Sequence, residues 1–313
     1  MEAVTGCMFV TFDLWHVPRR RAAQAAARMA LDRPRLRQAS GLTFSRLLGT
    51  GGGRRFTPLD ADPSRWALLA VWDTPAAARA FERSSTIRAW ARLADERWRV
   101  DLRPLHSRGL WSGQAPFGPH PGAGSGRPPV HDRHDAPVAA PAGDAPAGDT
   151  PARDTPVVAL TRARLAPRRA ALFWRAVPPV AAELRDADGL LFTAGIGEAP
   201  IGYQGTFSVW RDSAALRAFA YQGRAHAAVV QRTPRERWYA EELFARFAVL
   251  GSHGTVRGTD PCADRPCADH LGATARLPTA HVTDDATERG GEHTDEHGAD
   301  APRTPDAADG GSQ

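Results

Sequence analysis

The chain repeats itself, and the repeat limits the folds open to it. The run Val71-Trp72-Asp73-Thr74-Pro75-Ala76-Ala77-Ala78-Arg79-Ala80-Phe81 returns as Val209-Trp210-Arg211-Asp212-Ser213-Ala214-Ala215-Leu216-Arg217-Ala218-Phe219, with seven of the eleven positions identical. Glu96-Arg97-Trp98 then returns as Glu236-Arg237-Trp238 at nearly the same distance downstream. What both copies keep belongs to the fold. Where they diverge, one copy is free to carry a function of its own.

Each copy reads as strand, helix, strand, strand, helix, strand. In the first, Val4–Leu14 is rich in β-branched and aromatic residues, which predicts a strand. Arg19–Gln38 is Ala-rich and helical, with Pro34 kinking its end. Leu42–Leu48 is a short apolar run leading into a glycine-rich turn, and Trp66–Trp72 is continuously apolar, as a strand covered on both faces would be. Thr74-Pro75 supplies an N-cap and a proline at the first helical position of a helix running to about Trp98; Val100–Leu110 closes the copy. The second copy follows with strand Val157–Leu165, a helix over Arg169–Leu184 interrupted at Pro178-Pro179, strands Leu190–Gly195 and Tyr203–Trp210, a helix capped by Asp212-Ser213, and a closing segment Glu242–Leu250 that reads as strand or as helix passing into strand.

The order βαββαβ is the ferredoxin-like arrangement, with helices on one sheet face only. Two copies in one chain can cover each other's bare faces. The expected fold is therefore α+β: two ferredoxin-like repeats forming an intrachain dimeric α+β barrel, with the space between the sheets as a natural apolar ligand site. The expected boundaries are 1–113 for the first repeat, 114–156 for a disordered Pro/Ala/Gly/Asp linker, 157–257 for the second repeat and 258–313 for a disordered acidic tail. The linker and the tail contain too few apolar residues to offset their ordering entropy.

The net charge of +5 is uneven, because the tail alone carries twelve acidic residues and four arginines. Every basic side chain is Arg and none is Lys, which points to compositional bias, and no nucleic-acid motif accompanies the arginines. Three cysteines make no disulfide framework, and Cys262, Cys267 and His270 lack the spacing of a zinc knuckle. No secretory signal pattern and no apolar run of about 20 residues is present, which predicts a cytoplasmic protein. Gly49-Thr50-Gly51-Gly52-Gly53 lacks the Gly-Lys-Ser/Thr of a P-loop and reads as a wide turn, as does Gly195-Ile196-Gly197-Glu198.

His226 distinguishes the copies. Counted back from the paired tryptophans, it falls opposite Thr86. Phe219, Gly223, His226 and Val230 share one helical face, so His226 sits on an apolar stripe. It reads either as a core imidazole satisfied by a carbonyl or as a ligand to a buried metal cofactor. The small neighbours Gly223, Ala225, Ala227 and Ala228 raise the second reading, since they clear a flat space such as a planar macrocycle requires. Imidazole is a usual axial ligand of haem iron. Arg224, Arg232 and Arg235 could pair with propionates.

Gly49-Thr50-Gly51 with Phe56-Thr57-Pro58, Arg108-Gly109-Leu110-Trp111-Ser112-Gly113, Gly195-Ile196-Gly197-Glu198-Ala199-Pro200, Gln204-Gly205-Thr206-Phe207-Ser208-Val209-Trp210 and Trp238-Tyr239-Ala240-Glu241-Glu242-Leu243-Phe244 resemble the spheroidene monooxygenase family. The resemblance covers nearly all of both repeats. It implies a haem monooxygenase that uses O2 and electrons from a ferredoxin-like donor to insert a keto group beside the conjugated polyene of a carotenoid or similar long apolar molecule. Peripheral membrane contact would follow from such a substrate. By analogy with haem-binding barrels of this kind, His226 would hold the iron, with Gly223 and Arg232 beside the cofactor. Arg162 is a candidate for polarising the oxygen. A cofactor-independent barrel monooxygenase and a non-enzymatic apolar-ligand barrel are the alternatives.

Overall fold

The computed structural model describes residues 8–52, 60–118, 154–166, 168, 170–198, 203–222 and 238–268. Its elements are β1 (Phe9–His16), α1 (Ala22–Arg37), β2 (Leu42–Gly51), β3 (Ala61–Trp72), α2 (Pro75–Phe81), α3 (Ser85–Leu93), β4 (Glu96–Gly109), β5 (Val157–Leu165), α4 (Ala170–Arg185), β6 (Leu190–Gly197), β7 (Tyr203–Trp210), α5 (Ser213–Gln222) and β8 (Tyr239–Gly254). The strands close into a barrel in the order β1-β3-β2-β6-β7-β5-β8-β4. Each half contributes a four-stranded antiparallel ferredoxin-like sheet. The halves join along two antiparallel seams, β2 with β6 and β4 with β8.

The seams show a pseudo-two-fold relation. Trp72 pairs with Phe9, and Trp210 pairs with Val157, which fixes the equivalence of the halves. On that register Gly49 and Gly197 are equivalent and face each other in one seam, as Arg103 and Ala248 do in the other. Of the glycines expected to form wide turns, Gly49, Gly51, Gly195 and Gly197 instead lie in strands. A backbone seam between two sheets tolerates glycine there, and the pairs Gly49–Gly197 and Gly51–Gly195 use it.

Several expected elements shift. The helix predicted to run from Pro75 to Trp98 stops at Phe81. It restarts at Ser85 because Ser84 Oγ accepts from Ile87 N (3.2 Å), a fresh N-cap. Strand β4 then begins at Glu96, four residues early. The closing segment of the second half is wholly strand. Thr74 and Asp212 cap α2 and α5 as expected, accepting from Ala77 N (3.2 Å) and Ala215 N (2.7 Å). The echo of Glu96-Arg97-Trp98 in Glu236-Arg237-Trp238 is not a structural equivalence. Pairing with β1 and β5 puts Glu96 opposite His16 and Glu241 opposite Arg164, so the true counterpart of Glu96 is Glu241, five residues further on. Trp98 accordingly lies in the barrel core, whereas Trp238 packs on Phe173 of α4 (ring centroids 5.9 Å). The pairing of Thr86 with His226 was counted from the same echo, and His226 lies outside the described residues.

The ordered chain also runs past both expected boundaries. Phe117 is buried edge-on against Phe247 (4.9 Å), and Cys262, at the matching position of the other half, is buried in the same core. Residues 258–268 therefore pack on the barrel, although the tail was expected to begin at Gly258. Among the described residues no three His, Cys, Asp or Glu side chains group as a metal site. His270 lies outside them.

Candidate functional site

The expected ligand space between the sheets is filled. Phe12 and Phe207 stack at 3.8 Å across the interior, Trp98 packs on both, and Phe192 lies 5.0 Å from Trp98. Leu14, Leu48, Leu69, Val100, Leu160 and Val209 complete a close-packed core. No group the size of a porphyrin fits among these side chains.

One end of the interior is polar. Arg162 extends from β5 into it and is 3% exposed. Its guanidinium bonds to Glu241 and to Glu198 Oε1 (3.2 Å) and lies 5.6 Å from the Trp111 ring centroid. Glu198 also takes Arg46 Nε (3.0 Å) and the Trp111 indole N–H (2.6 Å). Leu48, Trp111, Arg162, Ile196 and Glu198 line a crevice here that is too narrow to admit a water molecule. Glu241 further accepts from Ser112 N and Gly113 N, both at 2.9 Å. Burial raises the Glu241 carboxyl, but the two backbone donors and Arg162 outweigh it and hold the group below the usual carboxylate range. Arg162 is thus placed to tie the barrel end shut, with its charge shared between two carboxylates. Sequence gave no sign of this, because its partners lie 36 and 79 residues away.

The outer faces of the two sheets differ sharply. On the first half, Trp15, Leu47, Leu68, Trp72 and Trp90 form one continuous apolar layer under the helices, with Trp15 and Trp90 stacked at 5.0 Å. Among the described residues the second half's layer falls into two clusters. One cluster gathers Leu165, Phe173, Val177 and Trp238; the other gathers Val157, Leu184, Trp210 and Ala215. Between them the register replaces Trp15 by Ala163, Leu68 by Thr206 and Leu47 by Gly195. Thr193 Oγ1 and Trp174 Nε1 are buried on this side without a hydrogen-bond partner, as Trp15 Nε1 is on the first half's face. Glu242, paired with Ala163 in the sheet, has its carboxyl pushed up by burial. His226, Gly223 and Arg232 lie outside the described residues, in the connection between α5 and β8.

Fold and site together define a single-chain α+β barrel with a closed, packed interior. No family model matches the chain. It is 35% identical over 240 residues to the spheroidene monooxygenase of Rhodobacter capsulatus, covering 76% of this chain and 88% of that one. It is 34% identical over 221 residues to the spheroidene monooxygenase of Rubrivivax gelatinosus, covering 70% of this chain and 73% of that one. Among solved structures, an aldoxime dehydratase shares 14% identity at a TM-score of 0.46, covering 77% of this chain and 81% of that one. The chain belongs to the spheroidene monooxygenase family and is a monooxygenase.

Proposed function

We propose that the chain is a haem-dependent monooxygenase that oxidises a carotenoid or a similarly long, apolar polyene. Family membership carries the reading. One atom of O2 enters the substrate and the other leaves as water, with two electrons from a ferredoxin-like donor and two protons. Two such rounds and loss of water turn a methylene into a ketone. When bound, haem supplies the oxygen-activating chemistry. His226 would hold the iron, with Gly223 and Arg232 beside the cofactor. Arg162, inside the barrel, keeps the end of β5 in register with Glu198 and Glu241.

The substrate's home is a membrane, and the first half's helices suit contact with an anionic one. α1 carries Arg28, Arg33, Arg35 and Arg37, and Arg19–Arg21 precede it. Its only acid, Asp32, is buried, while Leu31 stands 55% exposed among the arginines. Among the described residues no helix is long and apolar enough to cross a membrane, so contact would be peripheral.

The deciding experiment is absorption spectroscopy of protein purified with haem supplied. A Soret band is expected, and His226→Ala is expected to remove it. Carotenoid oxidation by protein free of iron and porphyrin would sink the reading.

A further inference from the structure

We propose that the whole helical layer over the first sheet, and not α1 alone, docks onto an anionic lipid surface through charge, and that the second half's helices face away from it. The inference rests on the functional reading above, which gives the chain a membrane-borne substrate. The new part of the surface is α2 with α3. From Pro75 to Ala94 the chain has four arginines, Arg79, Arg83, Arg88 and Arg92, all exposed, and one acid, Glu82. Glu82 is taken up by the sheet below, bonded to Arg97 (2.7 Å) and to Arg99. α1 repeats the arrangement: its one acid, Asp32, is buried and holds Arg28 (3.0 Å) and Arg35 (2.9 Å). In both segments the negative charge is used inside and positive charge is left outside.

The two segments form one surface. Trp90 Nε1 of α3 donates to Asp32 Oδ2 of α1 (3.1 Å). Arg21, just ahead of α1, donates to Arg92 O (3.0 Å) and Leu93 O (3.3 Å) at the end of α3. Arg88 reaches back to Arg83 O across the break between α2 and α3. Like charges stand four residues apart at Arg33 and Arg37 and again at Arg88 and Arg92, a spacing at which they repel. Asp73 and Asp95 lie just outside the ends of the α2–α3 segment, and Asp95 is already bonded to His16 (2.6 Å). A general excess of arginine does not explain the placement, because the described helices of the second half do not share it. There Asp186 and Asp188 stand exposed beside Arg185, and Arg211 pairs with Asp188 and Asp212, each at 3.3 Å.

The occupant follows from what the layer exposes. Among the described residues Leu31 is its one large, exposed apolar side chain, and α2 and α3 offer none. A helix that inserts into lipid needs a broad apolar face, so contact here is shallow and carried by charge. A compact acidic protein needs only a patch, whereas these arginines spread over three helices. α1 alone, with 16 residues, is roughly 24 Å long. A flat, extended sheet of anionic headgroups matches that spread. The strands of the two halves form opposite walls of the closed barrel, so the two helical layers point away from each other. A chain docked this way holds its second half off the bilayer, and a polyene oxidised there has first to leave the lipid.

The test compares two triple variants with the same change in net charge. Arg83→Glu, Arg88→Glu and Arg92→Glu alter the α2–α3 surface; Arg168→Glu, Arg175→Glu and Arg185→Glu, all exposed, alter the second half. Each full-length protein is sedimented with carotenoid-free vesicles of phosphatidylglycerol and phosphatidylcholine at low and high salt. The first variant is expected to bind at least about tenfold more weakly than native protein, and the second less than about twofold. Native binding is expected to fall steeply with salt and to vanish on phosphatidylcholine alone. Lysine at Arg83, Arg88 and Arg92 keeps the charge and is expected to keep binding within about twofold, so a folding defect in the glutamate variant is told apart from lost charge. Equal losses in the two glutamate variants would overturn the inference, since net charge alone would then decide. Full binding by the first variant would overturn it too, leaving α1 as the contact. Native protein that ignores the vesicles yet is retained by immobilised polyglutamate would overturn it in favour of an acidic protein partner. None of these readouts involves haem, so a missing Soret band sinks the functional reading alone.

Discussion

Glu96 and Glu241 occupy equivalent places in the two halves, and each closes the turn that follows the other half's last strand. Glu96 accepts from Arg257 N (2.9 Å) and Gly258 N (2.7 Å) after β8, while Glu241 accepts from Ser112 N and Gly113 N after β4. The arrangement is reciprocal, so each half's terminal turn depends on the other half being folded. The two carboxylates are not energetically alike, since only Glu241 also carries a buried arginine.

Removing Glu241 should therefore cost more than removing Glu96. Glu241→Ala leaves Arg162 inside the barrel with one of its two carboxylates gone, a loss expected at about 3–5 kcal/mol. Glu96→Ala loses backbone hydrogen bonds beside solvent, expected at about 1–2 kcal/mol. Urea unfolding of both variants measures the difference. Equal losses would mean that Glu198 alone satisfies Arg162.

Both glutamates also set the acid limb of stability. Burial raises each carboxyl, but backbone N–H donors outweigh it and hold both below the usual range. A depressed folded-state pKa contributes stability that is complete above the unfolded value of about 4.3 and is lost as pH falls through the folded one. Stability should fall between about pH 5 and pH 3, and Glu241→Gln should flatten that fall. The check is the pH dependence of the unfolding midpoint.

Gly109 and Gly254 are equivalent turn residues with φ of +90° and +76°. A Cβ on either would sit 2.2 Å from a carbonyl oxygen, that of Glu242 or of Arg97. Alanine at either position combines left-handed strain with a backbone clash and should cost at least about 2 kcal/mol. Thermal melts of the two variants should show losses of similar size, as the shared geometry requires.

The arginine face of α1 leads to a binding measurement. The triple change Arg33→Glu, Arg35→Glu and Arg37→Glu should cut sedimentation with vesicles containing anionic lipid at least tenfold at low salt, with no effect on neutral vesicles. Unchanged sedimentation would remove α1 as the contact.

The barrel and most of its strands were legible in the sequence because alternation, caps and the Val-Trp repeat act locally. Strand Val157–Leu165 was read to its last residue, and Thr74 and Asp212 announced their helices. What was not legible depends on distance or on register. The second N-cap at Ser84 was hidden inside an apolar helical pattern. The Glu-Arg-Trp echo looked like the repeat's anchor, yet strand pairing, which no short motif encodes, set Glu96 against Glu241. Arg162 was visible only as an arginine in a strand, because Glu198 and Glu241 reach it from other strands. The interior looked hollow on topology alone; Phe12 and Phe207 fill it from opposite halves. The face around Ala163 and Thr206 could be read only after the register had matched them to Trp15 and Leu68.

The facing glycines at the β2–β6 seam mark a symmetry axis through a molecule whose halves have drifted apart. A barrel assembled from two separate identical chains would have to accept every substitution twice, once on each side of that axis. It would also melt at a temperature that depends on protein concentration. Joined in one polypeptide, this barrel escapes both conditions. One half can be kept as a rigid support while the other changes side chain by side chain, as where Ala163, Thr206 and Gly195 stand for Trp15, Leu68 and Leu47, and the pair stays together at any dilution.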